Sequence, residues 1–132
     1  MKKFLVILLI SICGLTASAQ STQWYNASSY AYRYVNNGYW SSWTDWISCS
    51  VNIKFDLTTD IIDIYSNKHQ RYKVLYQEQS PYDINGQQVK FRVIDSDGVY
   101  GHIRLRIENN GNSQIYVDFS NCSWVYNVRR TQ

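Results

Sequence analysis

The chain has 132 residues, 13 Lys and Arg against 10 Asp and Glu, and aromatic side chains at 16% of its positions. That is one domain's worth of sequence, large enough to bury a core of its own. Two of the basic residues, Lys2 and Lys3, stand at the very N-terminus. Without them the chain lies within one charge of neutrality and generates no field to gather nucleic acid, so DNA and RNA are not expected partners.

In chain order, Lys2 and Lys3 head an apolar run from Phe4 to Ile12 that is interrupted only by Ser11. Ala17-Ser18-Ala19 then places small residues where a signal peptidase reads. Residues 1–19 are expected to be a bacterial-type signal peptide cleaved after Ala19, and residues 20–132 one β domain that is secreted or periplasmic. The apolar run is too short to cross a hydrocarbon core of ~30 Å, so no transmembrane anchor is expected in the mature form. Cys13 sits in a lipobox-like context, but Ile12 occupies the position where lipoprotein processing wants a small residue.

The next segment is the most aromatic. Residues 24–46 hold nine aromatics in 23 positions: Trp24, Tyr25, Tyr30, Tyr32, Tyr34, Tyr39, Trp40, Trp43 and Trp46. Strands are expected over 30–35 and 39–46, joined at Asn37-Gly38, a strong hairpin signal. Tyr30, Tyr32 and Tyr34 share one face by their spacing of two. Flat rings with a polar rim suit stacking on sugars or contact with a protein. The same rings serve equally well as a core layer or a cross-strand ladder. Tyr30, Tyr32, Tyr34, Trp40, Trp43 and Trp46 are the candidate ligand-binding residues.

Alternation is cleanest from Ile47, where Ile47, Cys49, Val51, Ile53, Phe55 and Leu57 fall opposite Ser48, Ser50, Asn52, Lys54 and Asp56. Strands follow near 61–66, 70–77, 88–94, 102–108, 114–119 and 123–129. In them Tyr72, Val74 and Tyr76, then Val89, Phe91 and Val93, then Ile103, Leu105 and Ile107, then Ile115, Val117 and Phe119 occupy the dry positions. Asn85-Gly86, Asp97-Gly98 and Asn109-Asn110-Gly111 supply connections. Eight or nine short strands with tight turns predict an all-β antiparallel meander, either a small barrel or a sandwich. Alternation does not distinguish the two. The pattern resembles small calycin-like or sandwich proteins exported by Gram-negative bacteria, a resemblance that implies no site and no activity.

Cys49 and Cys122 remain after export, and two cysteines in an exported chain predict one disulfide. Its loop of about 74 residues would contribute roughly 4 kcal/mol in the chain-entropy model. If the runs at 88–94 and 102–108 pair through Asp97-Gly98, Lys90, Arg92, Arg104 and Arg106 form a cationic face toward solvent, with Asp95 and Glu108 as local counter-charges. That face suits an anionic glycan, a lipid headgroup or an acidic protein, and also guards a sheet against edge-to-edge pairing.

Chemistry-bearing signals are few. Asp83-Ile84-Asn85-Gly86 and Asp95-Ser96-Asp97-Gly98 resemble the opening of a calcium loop but lack its later bidentate glutamate. Cys49, Cys122, His69 and His102 lack the close pairing of a zinc site. Neither histidine has a nucleophile nearby, and Asp60 and Asp63 flank a turn with no shielded pocket implied. No enzyme activity, cofactor or metal is expected. The expected function is binding: a carbohydrate or protein module using the aromatic strands. The alternatives are a structural or inhibitory envelope protein with internal aromatics and a cationic docking face, or a barrel holding a small apolar ligand.

Overall fold

The computed structural model describes residues 22–79 and 86–131. The expected signal peptide and Asp83, Ile84 and Asn85 of the second acidic turn lie outside the described residues. Within them the chain forms nine strands and no helix: β1 (Thr22–Asn36), β2 (Tyr39–Trp40), β3 (Ile47–Asp56), β4 (Ile61–Tyr65), β5 (Gln70–Glu78), β6 (Gly86–Asp95), β7 (Tyr100–Glu108), β8 (Ser113–Asp118) and β9 (Cys122–Arg130). Every pairing is antiparallel, and each strand from β3 to β9 pairs with the next. β1 pairs with both β3 and β9, so eight strands close into a barrel and β2 is attached outside the ring.

Closure settles barrel against sandwich, and β1 provides it. This strand of 15 residues runs beside β3 from Thr22 to Tyr30 and beside β9 from Tyr25 to Tyr34. Its register shifts between Ala27 and Ser29 on both sides. Against β9 the extra residue is Ser28 of β1, whereas against β3 it lies in β3, where Cys49 and Ser50 face Ser28; such a β-bulge bends and twists the strand. It also changes which parity points inward. Before the bulge Tyr25 and Ala27 are buried; after it Tyr30, Tyr32 and Tyr34 lie opposite Tyr126, Trp124 and Cys122.

The dry faces read from the sequence meet inside. Ile53, Phe55, Ile62, Ile64, Val89, Phe91, Ile103, Leu105, Ile115 and Val117 are all essentially inaccessible to water. Aromatic packing ties the centre together, with Phe55 edge-on to Tyr25 at 5.6 Å between centroids and tilted against Phe91 at 6.0 Å.

Three details differ from expectation. β1 begins at Thr22, eight residues before the predicted strand, because polar Gln23 and small Ala27 hide the alternation although both are fully buried. The run at 39–46 pairs regularly only at Tyr39–Trp40. Beyond it, Ser41 and Thr44 take over: their amides donate to the carbonyls of Tyr34 and Tyr32, and their hydroxyls accept from the amides of the same two residues. Lastly, a register shift between Val74 and Tyr76 turns Tyr76 away from the core face expected of it, and its ring is exposed. The turn at Asn37-Gly38 forms as expected, with φ of 52° and 82°, the pair of left-handed residues that a type I′ hairpin needs.

Candidate functional site

Beyond the Ser28 bulge the barrel opens. β1 contributes Tyr30, Tyr32 and Tyr34, β3 contributes Ile47, Cys49 and Val51, and β9 contributes Cys122, Trp124 and Tyr126, all lining one cavity of about 820 Å³. The turn between β4 and β5 adds Ser66, Asn67 and Lys68 at its edge. Period-two alternation puts each trio on the inner face of its strand, and the bulge aligns the β1 trio with the other two.

The depth of this mouth is set by one amide. Gln70 donates through Nε2 to the hydroxyls of Ser66 (2.9 Å) and Tyr126 (3.2 Å), and its Oε1 accepts from the Tyr72 hydroxyl at 2.6 Å. Tyr30 tilts against Tyr126 at 6.3 Å between centroids, and Trp124 packs against Phe119 at 5.8 Å. Burial pushes the Tyr72 phenol well above its ordinary value and the Tyr126 phenol above it, in Tyr126 despite hydrogen bonding. Toward solvent the rings loosen: Tyr32 is 42% exposed and Tyr34 49%. The site therefore grades from a hydrogen-bonded, neutral floor to an aromatic rim with two cations at its edge, Lys68 and Arg33. Of its members, Trp124, Tyr126, Gln70 and Lys68 were not singled out in the sequence. Cys122, Trp124, Tyr126 and Val128 do share one face by spacing, which was the available signal.

No family model matches this chain. No curated protein matches it either. Among solved structures it is similar to HpuA from Kingella denitrificans, solved in complex with human haemoglobin, at a TM-score of 0.39 and 12% identity. The likeness covers 92% of this chain and 46% of that one, so the chain spans less than half of HpuA's length. At that level of likeness nothing is carried over from it.

The expected Cys49–Cys122 bridge is not formed, and both cysteines are free thiols. They flank β1 on opposite edges and at different heights. Cys122 partners Tyr34, whereas Cys49 lies at the bulge, between Val51 opposite Ala27 and Ser48 opposite Ser29. About six residues of β1 separate the two levels, roughly 20 Å at ~3.3 Å per residue, whereas a disulfide needs Cα atoms within about 7 Å. The Cys49 thiol donates instead to the Ala27 carbonyl at 3.7 Å. Burial pushes both thiols above their ordinary value, which keeps them protonated and poorly nucleophilic.

The remaining aromatics and cations meet on the outer wall. Arg33 lies between the rings of Trp40 and Trp43, 4.6 and 4.7 Å from their centroids, and Trp43 stands edge-on to Tyr116 at 6.3 Å. Trp46 is 49% exposed and faces no partner ring among the described residues. Pairing of β6 with β7 sets Lys90 opposite Arg104 and Arg92 opposite His102, with Arg106 opposite Gln88. The counter-charges of that face are mostly not the expected ones. Glu78 approaches Lys90 (3.7 Å) and His102 (3.2 Å), Asp118 binds Arg104 (2.6 Å), Glu108 binds Arg106 (3.4 Å), and Arg92 lies over Tyr100.

Polar residues considered for chemistry hold turns and ion pairs. Asp95 accepts from the amides of Asp97 and Val99 at 2.9 Å each, closing its turn. Asp63 is shielded on β4, where Arg71 Nε (2.9 Å) and His69 Nε2 (2.8 Å) reach its Oδ1. Burial alone would raise the Asp63 carboxyl, but hydrogen bonds and charge from Arg71 and His69 outweigh it and hold it below the usual range. A carboxylate so held centres an ion pair rather than donating a proton. Asp60 sits apart in the preceding turn, at φ 60°, its carbonyl accepting from the Val74 amide. His69 stacks on Tyr65, 4.8 Å between centroids, and Tyr65 in turn on Trp24.

Proposed function

We propose that this chain is an exported, non-catalytic binding protein that admits a small, partly apolar ligand into the aromatic mouth of its barrel. The carrying observation is the Ser28 bulge, which turns Tyr30, Tyr32 and Tyr34 into a cavity shared with Trp124 and Tyr126. Pockets of this volume, with mostly apolar walls and a few placed polar groups, are typical of small-molecule sites. The protonated thiols and neutral phenols favour an uncharged ligand body, and Lys68 at the edge favours an anionic or strongly polar end that stays near water.

A naphthalene sulfonate dye has both features and reports on binding by its own fluorescence. Saturable binding should quench emission from Trp124 and weaken about tenfold in Tyr32→Ala, with the melting temperature nearly unchanged. Binding indifferent to Tyr30→Ala and Tyr32→Ala would refute the mouth as the site. Export is tested by N-terminal sequencing of the protein recovered from its host, which should begin at Gln20.

A second reading rests on a different observation. Tyr39 is 79% exposed, and Trp40, Trp43 and Trp46 also remain partly open on the arm that follows β1. That exposure favours a glycan or protein partner meeting the outside of the barrel, as large rings with polar tips do at interfaces. Pull-down from the native envelope alongside a glycan array separates these partners from a small ligand.

A further inference from the structure

The two groups of residues that stood out in the sequence, the tryptophans near the N-terminus and the cations of 90–106, lie some fifty residues apart in the chain but become neighbours on the barrel wall. Register alone places them. Arg92, His102, Asp118, Ser123 and Arg33 stand side by side across β6, β7, β8, β9 and β1. One level along, Lys90, Arg104, Tyr116, Val125 and Ala31 do the same. Outward-facing Ala31 and Val125 are nevertheless buried, and Trp43 touches residues of both rows, Arg33 and Tyr116.

Between these rows and the arm lies a pocket of about 280 Å³, whose lining includes Arg33, Trp40, Gln88, Lys90, Arg104 and Asp118. Three cations face one carboxylate there. That carboxylate is already engaged: Asp118 accepts from Arg104 Nε and from the Ser123 hydroxyl, each at 2.6 Å. Lys90 has a loose partner outside the pocket in Glu78 at 3.7 Å. Arg33 has no carboxylate partner among the described residues, and its buried Nε has no hydrogen-bond acceptor. Its guanidinium is held by two indoles, so its orientation is fixed before any ligand arrives and little side-chain entropy is lost on binding. A partly desolvated cation fixed in this way, with two more cations beside it, favours an incoming anion. Trp40, 43% exposed at the same edge, offers a flat ring beside it.

We propose that this outer-wall pocket binds an acidic sugar, with Arg33 and Lys90 taking the carboxylate and Trp40 stacking on the ring. The pocket is the size of one sugar unit, and Gln88 on its wall supplies the amide chemistry that sugar hydroxyls use. This rests on the second reading above, that the exposed aromatics meet a glycan, and makes it specific in charge; Arg33 and Ser123 also edge the mouth, whereas Lys90, Gln88, Arg104 and Trp40 line the outer pocket alone.

The test is a titration of the protein with glucuronate-containing oligosaccharides, with neutral glucose oligosaccharides of equal length, and with sodium sulfate alone. The expected result is that the acidic sugar binds at least tenfold more tightly than the neutral one, and that its affinity falls as salt is raised. Arg33→Gln should lower that affinity about tenfold or more and Lys90→Gln about threefold, while Tyr32→Ala in the mouth leaves it unchanged. Lys90→Gln carries the test if Arg33→Gln unsettles the tryptophan arm. Neutral sugars binding as well as acidic ones would overturn the charge-specific site and leave the glycan reading standing. No sugar binding at all would end the acidic-sugar site and leave the second reading with a protein partner only. Sulfate competing at equal concentration would mark a bare anion site and overturn the sugar, as would acidic-sugar binding lost in Tyr32→Ala but kept in both cation variants.

Discussion

The two halves of the barrel use the same strands for opposite ends. In the closed half, Ile53 and Phe55 of β3 and Tyr25 and Ala27 of β1 meet side chains from across the ring and lose nearly all contact with water. In the open half, Ile47 and Cys49 of β3 and Tyr32 and Tyr34 of β1 occupy equivalent inward positions yet stay in reach of solvent. Alternation is the same in both. What differs is whether opposing strands supply large apolar partners at that level. At the mouth β4 and β5 give way to the polar turn of Ser66, Asn67 and Lys68. Inward pointing and burial are therefore separate properties, and the second decides between core and site.

Substitutions at the two ends should split along that line. Phe91→Ala removes a 1% exposed ring that packs on Phe55 and should cost about 3–5 kcal/mol, read as a large fall in the denaturation midpoint with an unchanged m-value. A cost near 1 kcal/mol would mean that the closed half is not the stabilising core.

Gly101 tests the same half by addition. It lies inward on β7, where an added Cβ would sit 2.7 Å from the Asp118 carbonyl and 2.9 Å from the Phe119 ring. Gly101→Val should destabilise by about 1–3 kcal/mol. Because Phe119 packs on Trp124, it should also shift Trp124 emission. A shift without destabilisation would show that Phe119 moves aside freely, and the division between the halves would be softer than drawn.

How much of this was legible follows from what alternation encodes. Ile103, Leu105 and Ile107 announce a strand and its dry face, and so do Ile115 and Val117, because polar residues separate them. Closure was not legible. It depends on register shifts at Ser28, one extra residue in β1 against β9 and one in β3 against β1, which nothing in local composition marks. The same bulge hid the site, since Tyr30, Tyr32 and Tyr34 share a face in any strand but face the cavity only after the parity change. The shift at Leu75, which turned Tyr76 outward, was equally silent. The disulfide failed for a related reason: strand position says that two cysteines point inward, and only register says how far apart they stand.

A smaller effect concerns charge on the outside of the closed half. Asp63 and Glu78 both have carboxyls held below the ordinary range: burial opposes ionisation in each, but Arg71 and His69 in the first and His102, Lys90 and Arg92 in the second outweigh it. The unfolded chain then takes up protons first as pH falls, so stability is full above the ordinary carboxyl pKa of about 4 and declines as pH drops below it. Asp63→Asn should cost about 1 kcal/mol at neutral pH, discounted because Arg71 and His69 lie half in water. It should also flatten the decline in melting temperature between pH 5 and 3 (roughly the window set by that pKa). An acid limb identical to the parent's would remove Asp63 as its source.

The smallest stability effect should belong to the mouth, and it sharpens the comparison most. Tyr34→Ala deletes a ring that is 49% exposed and opposite Cys122, with no ring partner among the described residues. Its loss should change stability by no more than about 0.5 kcal/mol, as for surface positions generally. Tyr30→Ala should cost more, about 1–2 kcal/mol, because its ring leans on buried Tyr126. Along one face of one strand, the three residues from Tyr30 to Tyr34 should thus lead from the core to the mouth. If Tyr34→Ala proves as costly as Tyr30→Ala, the rim is packed in solution by something other than water. The mouth is then a closed extension of the core rather than an entrance.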